Sequence, residues 1–497
     1  MPKIVSSTRG HDSHTHDAVS AGLSGEMSRP VKLTFVGAGS FFAPRLINDV
    51  IKIPGNRDGT IALVDIDAKR LALTARLVRK LVKTQTAERW KVVASTERRA
   101  VLSGTDYLVN CIEVSGLDCV LHDNDIPLKY GIDQCIGDTI GPGGLFKALR
   151  TIPVWLGVLR DCEELCPQVV VLNYTNPMAM MCLAAGRTSS LPVVGLCHSV
   201  QGTSQLLADY AGVPIAEMNW DCAGINHLAW FTRLEHAGVD LYADRLYQKF
   251  RDDLAAAEIE HAAGNASHDA TDVKGGKEAN LAYTARDLVR KDMCLHFGAF
   301  ITESSGHLSE YLPYYRKSDA GRALLRQGYD GGSRFYATNW PQWRDERDRE
   351  RRDMLAGRME LGWARSWEYA SWIIEAREKD TPFRIHGNVM NQAPGGGGAL
   401  ITNLPADGCV EVACMIDGNG VHPTRYGALP RHLAAVCASN MGFFDVGAQA
   451  AIEQSVELAI QALYLDPLTA AVCTPSQIRA MGLEMFQAEQ AHLPGYR

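Results

Sequence analysis

The sequence predicts an α/β fold built around a parallel sheet, on three observations. Short apolar, β-rich runs recur from residue 31 to about residue 205, with helical segments between them. The first run closes on a glycine turn, Gly37-Ala-Gly-Ser40, and the second on an acid, Asp65. Beyond about residue 205 the alternation fades, so the chain divides into two parts. In such a sheet, ligands are expected at the carboxyl ends of the strands.

At 497 residues, 46% of them hydrophobic, the chain can bury more than one core. Its 50 Lys+Arg against 57 Asp+Glu leave a net charge of −7. That balance argues against nucleic acid or a membrane surface as a partner, and no apolar run reaches the ~18 residues a membrane span needs. The 13 cysteines lack the short regular spacing of a disulfide framework. Free thiols and a cytoplasmic location are therefore expected. Residues 1–29 are polar, include His11, His14 and His16, and read as a disordered leader, with metal binding by the three histidines as the alternative. The mixed-sign cluster Arg344 to Arg352 reads as a solvated helix face.

The elements follow in order. Val31 to Val36 reads as a strand, Pro44 to Ile51 as an amphipathic helix and Ile61 to Asp65 as a second strand. Glycines in such a turn let the backbone approach a pyrophosphate, the helix N-terminus attracts its charge, and the acid accepts from ribose hydroxyls. Gly37, Gly39, Ser40 and Phe41 are thus the expected dinucleotide turn and Asp65 the expected ribose acceptor. Asp67 is either a rival for that role or a helix cap. Phe42 stands where a third glycine is usual, so helix and sheet must pack differently there.

Asp106 to Cys111 reads as a further strand that brings Asn110 to the same edge. In the loop Gly137-Asp-Thr-Ile-Gly-Pro-Gly-Gly144, the density of glycine suggests close backbone approach to a ligand. Asp138 within it is a general acid or base, or the first residue of an Asx turn. Gln168 to Leu172 is the next strand, and Asn173 and Asn176 beyond it can bond sugar hydroxyls or a nicotinamide, or cap a helix. Val193 to Leu196 ends in Cys197-His198. A thiolate and an imidazole there could hold a borderline metal, or Cys197 could be a small buried hydrophobe. Four strand tips thus converge on one crevice.

Farther on, the apolar frame from Trp220 to Phe231 holds Asn226 and His227. Residues 250–280 read as an insertion or exposed loop. Val446 to Leu463 reads as one amphipathic helix, ended by Asp466-Pro467.

Taken together, these residues resemble the NAD- and metal-dependent glycosidases of glycoside hydrolase family 4. The resemblance covers nearly all of the chain after residue 30. Its motifs are Gly37-Ala-Gly-Ser40, the Asp65 strand end, Gly137-Asp-Thr139 with Gly141-Pro-Gly-Gly144, and Asn173-Tyr-Thr-Asn-Pro177. Cys197-His-Ser-Val200, Gly224-Ile-Asn-His227, Thr302-Glu-Ser-Ser305 with Ser309-Glu-Tyr311, and Asn403-Leu-Pro405 complete the series.

The resemblance implies a Rossmann-like, doubly wound NAD-binding domain over 30–205. A mixed α/β catalytic domain over 206–497 follows, the whole being related to lactate and malate dehydrogenases and assembled as a homodimer or homotetramer. It implies NAD and Mn²⁺ (or another divalent metal) as cofactors, with Cys197 and His227 as metal ligands. Asp138 matches the general acid, Tyr311 the base that acts at carbon 2 of the sugar, and Asn176 a contact to sugar hydroxyls. His198 and Asn226, beside the matched ligands, are expected to touch substrate as well, or, in the case of His198, to orient the neighbouring loop.

The implied chemistry is an exception to the carboxylate pair of most glycosidases. NAD takes a hydride from carbon 3, and the ketone acidifies the hydrogen on carbon 2. The leaving group departs from carbon 1, water adds and the hydride returns. The Cys-His-Ser-Val form resembles the α-galactosidase branch, with α-galacturonides, α-glucuronides and α-glucosides as alternative substrates. Arg286, Arg290 or Arg316 turned into the pocket would suit a uronate. Two other classes stay open: a 2-hydroxy acid dehydrogenase, whose Arg clamp and His–Asp pair are not evident, and a non-enzymatic NAD sensor.

Overall fold

The structure is a computed structural model that describes residues 21–86, 89–263 and 286–497. Strands β1 (Val31–Val36), β2 (Gly59–Val64), β3 (Trp90–Ser95), β4 (Tyr107–Asn110), β5 (Val170–Asn173) and β6 (Val193–Gly195) pair in parallel in the order β3-β2-β1-β4-β5-β6. This is the doubly wound order, and its reversal between β1 and β4 opens a crevice at their carboxyl ends. Leu33, Phe35, Leu63, Leu108 and Val171 are wholly buried, because helices cover both faces of such a sheet. Those helices are α1 (Ala43–Ile51), α2 (Ala68–Gln85), α3 (Val120–Lys129), α4 (Gly141–Leu165), α5 (Met178–Thr188) and α6 (Ser199–Ala211).

The second part of the chain extends the same sheet. Strands β7 (Met218–Ile225), β8 (Leu228–His236), β9 (Val239–Asp240), β10 (Phe300–Ile301), β11 (Phe383–Met390), β12 (Cys409–Asp417) and β13 (Gly420–Pro423) add to it in antiparallel fashion. The seam is β11, where Asn388 pairs with Gly195 of β6 and with Glu411 of β12. Glu411 in turn pairs with Gly224 of β7. The result is one 13-stranded sheet, and it carries the tips of β6 and β7 to the same edge.

Several expectations are corrected. Tyr247–Ala262 is a helix, α7, where an exposed loop was expected from residue 250; its alanine-rich composition favours helix without amphipathic periodicity. Residues 264–280 of that stretch lie outside the described residues. The single C-terminal helix is two, α10 (Arg431–Glu453) and α11 (Val456–Leu465), broken at Gln454 with φ of +54°. Asp466 does not only end a helix, since its side chain caps the next one, α12 (Pro467–Val472). The last long helix is α13 (Pro475–Ala488).

The mixed-charge cluster lies on α9 (Phe335–Ala356), which follows the short α8 (Ser305–Tyr311). It is not wholly solvated, because Asp348 and Arg351 are buried. The end of the expected leader is held as well. Met27 joins the core, and Arg29 pairs with Asp106 and Glu378. Residues 1–20, with His11, His14 and His16, lie outside the described residues. All 13 cysteines are free, and among the described residues no helix is long and apolar enough to cross a membrane.

Candidate active site

Cys197 follows β6, and His227 sits in the two-residue turn that joins β7 to β8. The continuous sheet brings them together, with Cys197 Sγ 3.4 Å from His227 Nε2. His227 holds a φ of +62° and Glu303 one of +71°, backbone states that bulky side chains adopt rarely and that cluster at functional sites. Glu303 comes just after β10, whose pairing with β8 fixes it beside the turn. Its Oε2 lies 3.8 Å from His227 Nε2 and 4.0 Å from Cys197 Sγ. The donor atoms of the three residues all lie within 4.8 Å of one another.

The other oxygen of Glu303 accepts from the Tyr329 hydroxyl at 2.7 Å and lies 3.6 Å from His307 Nδ1. The ring of His307 packs edge-on against His227, with centroids 4.4 Å apart. Glu303 was given no role by the sequence reading. Its mark in the sequence is its place in the Thr302-Glu-Ser-Ser305 motif.

The electrostatics suit a cation. Burial, with His307 beside it, lowers His227 to about 4, so the imidazole is neutral. Burial and the Glu303 and Glu411 carboxyls push the Cys197 thiol up. Burial also opposes ionisation of Glu303, but His307 outweighs it and holds the carboxyl below its usual range. A neutral imidazole, a carboxylate and a thiol with one proton to lose form a donor set for a divalent metal.

Asp138 lies between α3 and α4. Its Oδ1 accepts from Thr139 Oγ1 at 2.8 Å and its Oδ2 from Asn176 Nδ2 at 3.2 Å. Lys147 Nζ is 3.7 Å from Oδ2 and 2.7 Å from Glu113. Burial pushes Asp138 up, yet Lys147 and His307 prevail and keep it ionised. Lys147 was not singled out from sequence, although a charged residue in the apolar run of α4 marks a buried ion pair.

Tyr311 ends α8 and is wholly buried, its ring centroid 6.3 Å from that of His227. Its hydroxyl, both polar atoms of the Asn226 amide and His227 Nδ1 are buried with no hydrogen-bond partner among the described residues. Burial, Asp138 and Glu310 push the phenol well above 10. His198 is half-exposed in front of α6, its Nδ1 3.8 Å from Glu368.

The edge where a nucleotide is expected is formed by the tips of β1, β2 and β4. Gly37 has φ of +84°, and a Cβ there would lie 2.4 Å from the Cys111 carbonyl oxygen. Only glycine fits. Gly39 N donates to Asp65 Oδ2 at 2.7 Å. Asp67 instead caps α2, accepting from the backbone of Lys69 and Arg70, so the two acids part company. Ser40 Oγ accepts from Phe42 N, Phe41 is exposed, and Phe42 packs edge-on against Tyr174. Asn110 is wholly buried and donates to Asn173 at 2.8 Å. Arg351 of α9 reaches back to the Gly39 carbonyl, as does Arg70, a contact between residues far apart in sequence.

Two arginines expected near the site are engaged elsewhere. Arg290 is buried on Asp287, Thr203 and the Ile301 carbonyl. Arg316 is buried on Asp133, Ser309 and the Gly331 carbonyl.

Residues 32–213 match the model of the family 4 glycosyl hydrolases, and residues 222–469 match the C-terminal domain of that family. An alpha-galactosidase of Rhizobium meliloti (strain 1021) is 35% identical over 473 residues, which is 94% of this chain and 89% of the relative. An alpha-galactosidase of Bacillus subtilis (strain 168) is 33% identical over 473 residues, 94% of this chain and 100% of the relative. The crystal structure of a 6-phospho-alpha-glucosidase from gut microorganisms, in complex with NAD and Mn²⁺, is similar with a TM-score of 0.73 at 20% identity. That likeness covers 94% of this chain and 100% of the other.

Proposed function

This chain belongs to family 4 of the glycosyl hydrolases and is a glycosidase, and on that premise we propose that it hydrolyses α-galactosides with NAD and a divalent metal, Mn²⁺ foremost. The observation that carries the reading is the Cys197–His227–Glu303 cluster at the carboxyl edge of β6. The crystal structure of the similar 6-phospho-alpha-glucosidase, which holds NAD and Mn²⁺, supports the same cofactors here.

The residues present fit both groups. Backbone crowds Gly37 so closely that a side chain is excluded from the turn, and Asp65 stands at the tip of the neighbouring strand. Cys197 and His227 would hold the metal, with Glu303 within reach of it, and so few protein ligands leave positions for sugar oxygens. When bound, NAD would supply hydride acceptance and return at carbon 3, and the metal would supply Lewis acidity at the neighbouring oxygens.

The chain's own groups move the protons. Tyr311 is the base for the hydrogen on carbon 2, and among the described residues its hydroxyl has no partner to compete for that role. Burial holds the phenol up, and a cation held by Cys197 and His227 would supply the positive charge that lets it act as a base. Asp138 delivers a proton to the leaving oxygen, with Asn176 fixing its orientation. Lys147 keeps Asp138 ionised in the free protein. A sugar inserted between them would weaken that pair and let Asp138 take up the proton it later gives.

Two of the three arginines that would suit a uronate, Arg290 and Arg316, are engaged in internal pairs, which favours a neutral galactoside. Hydrolysis in heavy water tests the mechanism. Elimination places deuterium on carbon 2 of the product, and a product without label there would overturn the role given to Tyr311.

A further inference from the structure

We propose a second divalent-metal site, remote from the cluster at Cys197 and independent of the glycosidase reading, formed by Cys119, His122 and Glu489 and suited to Zn²⁺. Cys119 immediately precedes α3 and His122 lies in its first turn, a Cys-x-x-His spacing that puts both side chains on one helix face. Glu489 immediately follows α13. The ligand atoms of the three residues lie within 4.8 Å of one another. A tetrahedral Zn²⁺ with bonds of about 2.0–2.3 Å sets its ligand atoms about 3.3–3.8 Å apart. Closing the site therefore asks for roughly 1 Å of side-chain movement.

Two residues of this cluster carry unmade hydrogen bonds. The side chain of Glu489 is wholly buried, and one of its oxygens pairs with Arg150. The other, Oε1, is buried with no partner among the described residues, and so is Nδ1 of His122. A buried carboxylate oxygen and a buried ring nitrogen without partners are costly, and a metal bond to each removes that cost. The charges agree. Arg150 is matched by Asp123 through two hydrogen bonds of 3.0 and 2.7 Å. Burial and the neighbouring Asp123 push Glu489 up to about 9, so a metal would displace one proton from Glu489 and one from Cys119, and these are the two negative charges that one divalent cation neutralises.

The ion would clip the C-terminal helix α13 to α3. Helix α3 leads into the loop that carries Asp138, and Gln134 of that loop donates to the Asp123 carbonyl. The site would thus brace the candidate catalytic loop from behind.

The test is a titration of full-length, chelator-stripped protein with Co²⁺, following the thiolate-to-cobalt charge-transfer band and the stoichiometry. Wild type is expected to bind two equivalents, and Cys197→Ser to bind one with the band retained. Adding His122→Ala or Glu489→Gln to Cys197→Ser should weaken Co²⁺ binding at least ~100-fold, since even groups behind the ligands cost 10–100-fold. No Co²⁺ binding by Cys197→Ser, or unchanged binding after either addition, would overturn the proposal. Should Cys197→Ser not fold, His122→Ala in the wild-type chain is compared directly. One equivalent against two supports the site, and equal stoichiometry refutes it.

Discussion

The sulfur of Cys197 and Nε2 of His227 lie 3.4 Å apart, although one residue ends a parallel strand and the other turns an antiparallel hairpin. If that pair holds the metal, Cys197→Ser and His227→Ala should each reduce glycoside turnover to background. NAD affinity should stay within about twofold, because the nucleotide turn lies on other strands. Calorimetric titration with NAD checks this; loss of NAD binding in either variant would contradict the separation of the two sites.

Glu303 is expected to contribute to the same ion. Glu303→Gln should weaken Mn²⁺ about 10–100-fold, whether the carboxylate binds the metal or orients its ligands. Tyr329→Phe, which removes only the hydroxyl that donates to Glu303 at 2.7 Å, should have a smaller effect in the same direction. Mn²⁺ titration of activity measures both. An unchanged Mn²⁺ affinity in Glu303→Gln would leave Cys197 and His227 as the whole protein share of the site.

Asp65 and Asp67 should separate in function as they do in structure. Asp65→Ala is expected to weaken NAD about 10–100-fold, the loss of hydrogen bonds to a charged acceptor worth about 1.5–3 kcal/mol. Asp67→Ala should leave NAD affinity unchanged and cost ~1 kcal/mol of stability as a lost helix cap. The reverse pattern, read by NAD titration and thermal melts, would exchange their roles.

Much of this arrangement is legible in the sequence, and the remainder fails for definable reasons. The parallel strands announce themselves because strands covered on both faces must be apolar throughout and end abruptly in Gly37, Asp65, Asn110 or Cys197. Strand β3 escapes notice because it is the edge strand, with Lys91 and Ala94 exposed, so no continuous apolar run betrays it. Glu303, Lys147 and Arg351 were missed because each acquires meaning from partners distant in sequence or hidden in the fold. Arg351 finds the Gly39 carbonyl 312 residues away. The break at Gln454 leaves no mark, since the apolar spacing continues across it.

Burial also makes a prediction for stability. Asp49 on α1 is wholly buried and accepts from the Ser366 backbone at 3.0 Å, and burial raises it from 3.8 to about 6. A carboxyl with a raised folded-state value stabilises the fold fully below pH 3.8, progressively less between 3.8 and 6, and not at all above. The difference amounts to about 3 kcal/mol. Asp49→Asn carries no charge to bury, so its apparent Tm should exceed that of wild type at pH 8 and converge with it by about pH 4. A Tm difference that does not vary with pH would contradict a buried, ionising Asp49.

The most direct test of the central claim is hydrolysis of p-nitrophenyl glycosides by stripped, reduced protein, with NAD and Mn²⁺ each present or omitted. The panel holds the α-galactoside, α-glucoside, α-galacturonide and α-glucuronide. Turnover should require both additives and should be fastest on the α-galactoside. Equal turnover with neither additive would contradict the redox-elimination chemistry assigned to this site.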